Sequence, residues 1–128
     1  MKPLTAEWVA KAEHDWVSAQ REFRARKAPN YDAACFFAQQ CVEKYLKARL
    51  QEADIRFPKT HDLAALLARA APIEAAWREW RQHFEVLSVY AVETRYPGMT
   101  ADRSMAREAV RMCRVFRGLA RASLRLKP

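Results

Sequence analysis

The sequence predicts an all-α protein, an up-and-down helical bundle of four long helices plus one short helix. Long stretches are rich in Ala, Leu, Arg and Glu, which favour helix. Only two residues are glycine, too few for a turn-dense β-sandwich or barrel and for a glycine-rich phosphate loop. Turn signals are few and clustered, and a length of 128 residues predicts one domain spanning 1–128.

The first two helices are predicted from a capping residue and an apolar stripe each. The first runs from about Thr5, whose hydroxyl can cap the helix, to Lys27, just before Pro29. The second runs from about Asp32, a good N-cap, to Ala53. The stripes that should face the core are Trp8, Ala12, Trp16, Ala19 and Phe23 in the first helix, and Ala34, Phe37, Cys41, Tyr45 and Ala48 in the second.

Proline and glycine separate the remaining helices. A short third helix is predicted from Thr60 or His61 to Ala70, a fourth over about 73–93 and a fifth over about 102–124. The residues expected to face the core are Leu63, Leu66 and Leu67 in the third helix, and Trp77, Trp80, Phe84, Leu87 and Tyr90 or Ala91 in the fourth.

The last predicted helix carries a row of arginines, in a chain with 23 Lys and Arg against 15 Asp and Glu. The row follows steps of three and four: Arg103, Arg107, Arg111, Arg114, Arg117, Arg121 and Arg125. The opposite side is apolar, with Met105, Ala109, Met112, Val115, Phe116 and Leu119. The row suits a nucleic-acid backbone or a partner protein, or it is a solvated face partly neutralised by Glu on adjacent helices.

Several classes of protein are not expected. No apolar run is long enough to span a membrane and the N-terminus does not resemble a signal peptide, so we expect a cytoplasmic protein without membrane contact. The three cysteines, Cys35, Cys41 and Cys113, are expected to be buried reduced thiols. The three histidines show no metal-ligand spacing, so we expect no metal and no cofactor; His14 and His83 are predicted to lie on the surface.

Three segments stand out chemically. His61 and Asp62 lie at a predicted helix start directly after a loop, where an imidazole is accessible and Asp62 or Thr60 can cap the turn. Arg95 and Tyr96 end the fourth predicted helix, and Arg95 offers a planar fork of donors for phosphate or carboxylate. The third segment, Gln39–Lys47, contains a favourable i,i+4 pair of Glu43 and Lys47 and places Gln40, Lys44 and Lys47 on one face.

These segments together resemble the HEPN family (higher eukaryotes and prokaryotes nucleotide-binding domain). The resemblance extends from Trp8 to about Val115. Its pieces, in order, are Trp8…Ala12…Asp15, the run Tyr31–Gln40, Glu43-Lys44-Tyr45-Leu46-Lys47-Ala48, Thr60-His61-Asp62-Leu63 and Thr94-Arg95-Tyr96-Pro97.

The resemblance implies an all-α bundle, frequently dimeric, whose genes are often paired with a minimal nucleotidyltransferase in toxin–antitoxin modules. Many relatives are metal-independent ribonucleases that use an Arg followed four to six residues later by a His near the start of the last long helix. That motif is absent after Arg95. The spacing occurs instead at Arg56 and His61, in the loop before the third helix.

The sequence leaves three functions open. The first is a nucleotide- or RNA-binding module that acts with a nucleotidyltransferase, its site lined by Lys44, His61, Asp62, Arg95 and Tyr96, with Arg95 and Lys44 on phosphates. The second is a metal-independent endoribonuclease toxin, with His61 and Arg95 as catalytic candidates. The third is a helical protein-interaction module without a ligand. All three are expected to be homodimers, because four Trp and six Phe should leave aromatic surface exposed.

The first two functions need His61 and Arg95 to meet, within one protomer or across two. If the short third helix counts as a full arm of the bundle, these residues are neighbours. If it merely caps the bundle, they lie at opposite ends.

Overall fold

A computed structural model describes all 128 residues and contains helices only, which confirms the all-α class. The elements are α1 (Pro3–Arg24), α2 (Tyr31–Glu52), α3 (Leu63–Ala70), a 3-10 helix (Ala75–Trp80), α4 (Arg81–Glu93) and α5 (Arg103–Ser123). No helix is both long enough and apolar enough to cross a membrane.

Helix α2 lies at the centre of the bundle, and α1 runs antiparallel to it. Phe23 near the end of α1 packs beside Tyr31 at the start of α2, and the backbone N–H of Lys2 donates to Glu52 at the opposite end. Helix α5 runs parallel to α2, because Ala101 contacts Asp32 while Ser123 contacts Arg49.

Helix α4 closes the bundle antiparallel to both α2 and α5. Arg95, just after α4, lies over Phe36 near the start of α2, and Tyr90 of α4 donates to Glu108 of α5. Alternating directions make this the up-and-down bundle that the sequence predicts. Helix α3 is the short additional element and packs against α2 and α4.

The core is built around α2 and a cluster of aromatic rings. Tyr45, Leu46 and Leu50 of α2 are fully buried. At the other side of the core, Phe116 meets Trp77, Trp80 and Phe84 at ring-centroid distances of 4.9, 5.6 and 5.0 Å. Trp16, Trp77 and Trp80 are buried. The aromatic surface that remains includes that of Tyr96, which is exposed, and of the half-buried Trp8, Phe23, Phe36, Phe37 and Phe57. The exposed apolar side chains of α4 are Val86, Val89 and Val92.

The first two helix starts differ from the predicted ones. Helix α1 begins at Pro3, whose fixed φ suits the first helical position, and Thr5 is buried within the first turn instead of capping it. Helix α2 is capped by Asn30, which accepts from the N–H of Ala33 at 2.9 Å. Asp32 instead accepts from the N–H of Ala101 at 2.6 Å and so ties the segment before α5 to α2.

The predicted fourth helix is two elements. Residues 75–80 form a 3-10 helix, and the α-helical geometry begins only at Arg81. A 3-10 helix repeats every three residues, so Trp77 and Trp80 lie on the same side, where both reach Phe116. After α4, Pro97 and Gly98 turn the chain, and Gly98 adopts a φ of 91° that a side chain would strain.

The arginine row of α5 divides into a paired and an unpaired part. Arg117 makes a bidentate pair with Glu13 of α1, and Arg121 lies 3.6 Å from the same carboxylate. Arg103, Arg107, Arg111 and Arg114 are exposed and have no carboxylate partner. On the apolar side, Ala109, Met112 and Phe116 are buried as predicted, whereas Val115 and Leu119 are exposed because they lie at the edge of the buried arc.

Candidate functional site

The largest group of predicted site residues surrounds one pocket between α2, the start of α3 and α4. Its volume is about 450 Å³. Its lining includes His61, Asp62 and Arg95, together with Phe36, Gln39, Gln40, Ser88, Ala91 and Val92.

His61 reaches this pocket because segment 53–62 doubles back along α2. Phe57 packs edge-on against Trp8, which also covers Lys47. Further along, the carbonyl of His61 accepts from Nε2 of Gln39 at 3.0 Å. The chain thereby returns from the end of α2 to its middle, about 20 Å at 1.5 Å per residue. This return of segment 53–62 brings His61 to the same pocket as Arg95. Neither of the two alternatives considered from the sequence, a third helix that is a full arm of the bundle or one that caps it, included such a return.

A buried carboxylate fixes the imidazole of His61. Nδ1 of His61 lies 2.9 Å from Oε1 of Glu43, whose other oxygen accepts from Nζ of Lys47 at 3.1 Å. Glu43 and Lys47 are 2% and 6% exposed, whereas the His61 side chain is 81% exposed. The i,i+4 pair expected from the sequence therefore forms, and it holds a third residue.

This arrangement determines which ring nitrogen is available. An ionised carboxylate only accepts hydrogen bonds, so Nδ1 of His61 carries its proton toward Glu43. The opposite nitrogen, Nε2, accepts a hydrogen bond when the ring is neutral and donates one when the ring is charged. His61 can therefore hydrogen-bond a ligand or exchange a proton with it at a defined atom.

Arg95 supplies a cation that is not paired with a carboxylate at the pocket rim. Its guanidinium carbon lies 4.2 Å from the centre of the Phe36 ring, a cation–π contact that orients the planar group. Arg95 forms no ion pair, in contrast to Arg49, which is bonded to Glu74. Its donors remain open to an anion.

The other polar groups of the pocket are partly occupied. Oδ1 of Asp62 caps α3 by accepting from the N–H groups of Ala64 and Ala65, while Oδ2 has no partner. Gln40 donates to the side-chain oxygen of Gln39 at 2.8 Å, which leaves its own carbonyl oxygen open. The pocket thus offers a donor fork at Arg95 and acceptors at Asp62 and Gln40.

Two predicted site residues lie outside the pocket. Lys44 faces α1, where Nζ bonds Asp15 at 2.5 Å. Tyr96 follows Arg95 but is 64% exposed and does not line the cavity. Arg56, which has the family spacing to His61, also lies elsewhere, and its carbonyl accepts from Arg69. No three His, Cys, Asp or Glu side chains of the chain converge closely enough to bind a metal ion.

Sequence reasoning missed the roles of Phe36 and Gln39 and the contact of Glu43 with His61. One signal was present, because Phe36, Gln40, Glu43 and Lys47 recur at steps of three and four on α2. Polar residues on one side of an otherwise apolar helix indicate that something polar packs there. The identity of that partner depends on the path of segment 53–62.

Comparison with known proteins gives one match. The sequence model of the HEPN domain matches residues 5–122, nearly the whole chain. No curated protein and no solved structure matches the chain. The match supports a nucleotide- or RNA-related module. The chain therefore belongs to the HEPN domain family.

Proposed function

We propose that this HEPN protein binds a nucleotide or an RNA nucleotide unit in the pocket between α2, His61 and α4. The observation that carries the proposal is the meeting of an oriented imidazole with an unpaired guanidinium around one cavity. A nucleotide carries phosphate oxygens that accept and ribose hydroxyls that donate. Arg95 matches the former, and the open oxygens of Asp62 and Gln40 match the latter.

Titration calorimetry with AMP, ATP and a short single-stranded RNA tests the pocket. Because charge-assisted hydrogen bonds are the strongest available, Arg95→Ala should weaken binding about tenfold or more. Arg78→Ala is the matched control, since Arg78 is exposed and has no ion pair. If Arg95→Ala and Arg78→Ala bind all three probes with equal affinity, the pocket is not the binding site.

A metal-independent endoribonuclease is the second candidate, and the Glu43–His61 contact favours it. In this candidate Nε2 of His61 takes the proton of a ribose 2′-hydroxyl, and the 2′-oxygen attacks the adjacent phosphorus, whose oxygens Arg95 binds. The P–O5′ bond breaks, the product is a 2′,3′-cyclic phosphate, and the leaving 5′-oxygen takes a proton from water. The test is incubation of RNA with micromolar protein in the presence of a chelator. This candidate expects cleavage that His61→Ala abolishes, and intact RNA contradicts it.

The homodimer remains a proposal, and the exposed face of α4 is the surface that supports it. Val86, Val89 and Val92 follow one another at steps of three, and Val92 also lines the pocket. Light scattering after gel filtration tests the contact. Val89→Glu should convert a dimer to a monomer, because it places a charge in an apolar interface. A monomeric native protein, or a dimeric variant, argues against this surface.

The nucleotidyltransferase partner rests on the family alone. If the protein is one half of a toxin–antitoxin pair, an adjacent reading frame should carry a Gly-Ser…Asp-x-Asp pattern. Its product should co-purify with this chain after co-expression. A neighbourhood without such a frame contradicts this part of the proposal.

A further inference from the structure

A second cavity lies where α1 ends and α5 begins. Its volume is about 440 Å³, and it shares no lining residue with the pocket of His61 and Arg95. Three guanidinium side chains and two aromatic rings dominate its lining: Arg24, Arg26, Arg103, Phe23 and Tyr31.

The three arginines are without an ion-pair partner, and no carboxylate lines the cavity. The nearby carboxylates of Asp32 and Asp102 accept from backbone N–H groups of other residues. Three like charges around one cavity repel one another, and a bound anion relieves that repulsion.

The positive charge continues along α5. Arg107, Arg111 and Arg114 follow Arg103 on the exposed side of the helix and also have no carboxylate partner. From Arg103 to Arg114 the helix rises about 16 Å. A stacked strand carries a phosphate about every 3.4 Å, so this length matches on the order of five phosphates.

The aromatic rings distinguish a nucleic acid from an acidic protein. Phe23 and Tyr31 are half-buried, with ring centres 6.4 Å apart and planes at 52°. Proteins that bind single strands combine a basic path for the backbone with aromatic rings on which bases stack. The rings also pack against the core, and their partly exposed faces next to the arginines favour a base over an acidic side chain.

We propose that Arg24, Arg26 and Arg103 bind a phosphate group of a single-stranded polynucleotide, with a base against Tyr31 and the following phosphates along Arg107 to Arg114. This site is separate from the pocket of the proposed function and does not depend on it.

Fluorescence anisotropy with a labelled uridine homopolymer of about 20 nucleotides, over a series of salt concentrations, tests the site. The triple variant Arg24→Gln, Arg26→Gln, Arg103→Gln should bind about tenfold more weakly, with a log–log salt slope smaller by about 2. The matched control, Lys11→Gln, Arg56→Gln, Arg78→Gln, removes the same charge from exposed positions elsewhere and should change affinity about twofold or less.

Two further variants complete the test. Tyr31→Leu keeps an apolar contact with Phe23 and should weaken binding several-fold through lost stacking. The single variants Arg26→Gln and Arg103→Gln, both at exposed positions, should each weaken homopolymer binding about threefold. They replace the triple variant in the test if that variant does not fold. The triple variant should keep the native affinity for AMP, because its three residues lie outside the pocket of His61 and Arg95, and this readout separates failure of one site from failure of the other. Equal losses in the two triple variants, no binding by the native protein, or tighter site-dependent binding of polyglutamate would each overturn the proposal.

Discussion

Glu43 and Lys47 form a buried ion pair, and His61 completes this network by contacting the Glu43 carboxylate from the protein surface. The ion pair is almost fully buried, and the Trp8 ring covers Lys47 at 5.3 Å. Buried charges are tolerated only when their partners are in place, because desolvation is costly. Each member therefore depends on the other two, and the position of the His61 ring depends on the charge balance beneath it.

Removing the cation should expose that dependence. Lys47→Met leaves the Glu43 carboxylate buried without its ammonium partner, and should lower the free energy of unfolding by about 3–5 kcal/mol. Adding Glu43→Gln should recover much of this loss, because it removes the uncompensated charge. Urea unfolding of both variants measures the difference. A double variant as unstable as Lys47→Met alone contradicts this account of the network.

Glu13 is the second residue whose charge matters. Burial acts to raise the pKa of Glu13, but hydrogen bonds from Arg117 and Tyr45 outweigh it and hold the pKa below its ordinary value. Because the pKa is lower in the folded protein than the ordinary value of 4.5, the ionised carboxylate stabilises the fold fully at pH values above 4.5. This contribution is lost as the pH falls through the pKa of the folded state.

The difference in the free energy of unfolding between the native protein and Glu13→Gln should therefore depend on pH. At neutral pH the variant should be less stable by about 1–3 kcal/mol, the value of hydrogen bonds to a charged group. The difference should shrink as the pH falls below 4.5. Denaturant unfolding across this range is the measurement, and a difference that does not change with pH contradicts the role of the carboxylate charge.

At the scale of elements, the sequence predicted the helices better than their ends. The apolar spacing of Trp77, Trp80, Phe84 and Leu87 suits a continuous α-helix, yet the first part is a 3-10 helix. Spacing of three fits both geometries, so only the packing on Phe116 separates them. Helix α3 begins at Leu63, two or three residues after the predicted start at Thr60 or His61, because Asp62, one of the two predicted capping residues, is the one that caps it.

The cap of α3 supports the pocket as well as the helix. Asp62→Ala should lower the free energy of unfolding by about 1 kcal/mol, since the N–H groups of Ala64 and Ala65 lose their acceptor. Asp62→Asn keeps an acceptor oxygen and should cost less. Thermal unfolding followed by circular dichroism compares both variants with the native protein. An Asp62→Ala variant as stable as the native protein would show that the cap contributes nothing.

At the scale of the whole molecule, the meeting of His61 with Arg95 could not be predicted from local patterns. Helix periodicity determines which side of α2 is buried, but it does not specify how segment 53–62 returns along that helix. The division of the arginine row has the same origin. Arg117 and Arg121 differ from Arg107 and Arg111 only because α1 brings Glu13 against them.

The reactivity of the cysteines tests whether the core is closed to solvent. All three are fully buried, and burial, with the carboxylates of Asp32 and Asp102, raises the pKa of Cys35 to about 12. Because the thiolate is the reactive form, the native protein should not react with Ellman's reagent at neutral pH. All three thiols should react once the protein is unfolded in guanidinium. Rapid reaction of the folded protein contradicts a core packed around α2.

The proposed function requires His61 and Arg95 to act in one ligand pocket. Its most direct test is a long-range nitrogen–proton NMR spectrum of the histidine rings during titration with AMP. His61 should be in the Nδ1–H form, its Nε2 signal should shift on addition of AMP while those of His14 and His83 do not, and the shift should be lost in Arg95→Ala. A His61 signal that ignores AMP, or one that shifts equally in Arg95→Ala, would contradict the proposed function.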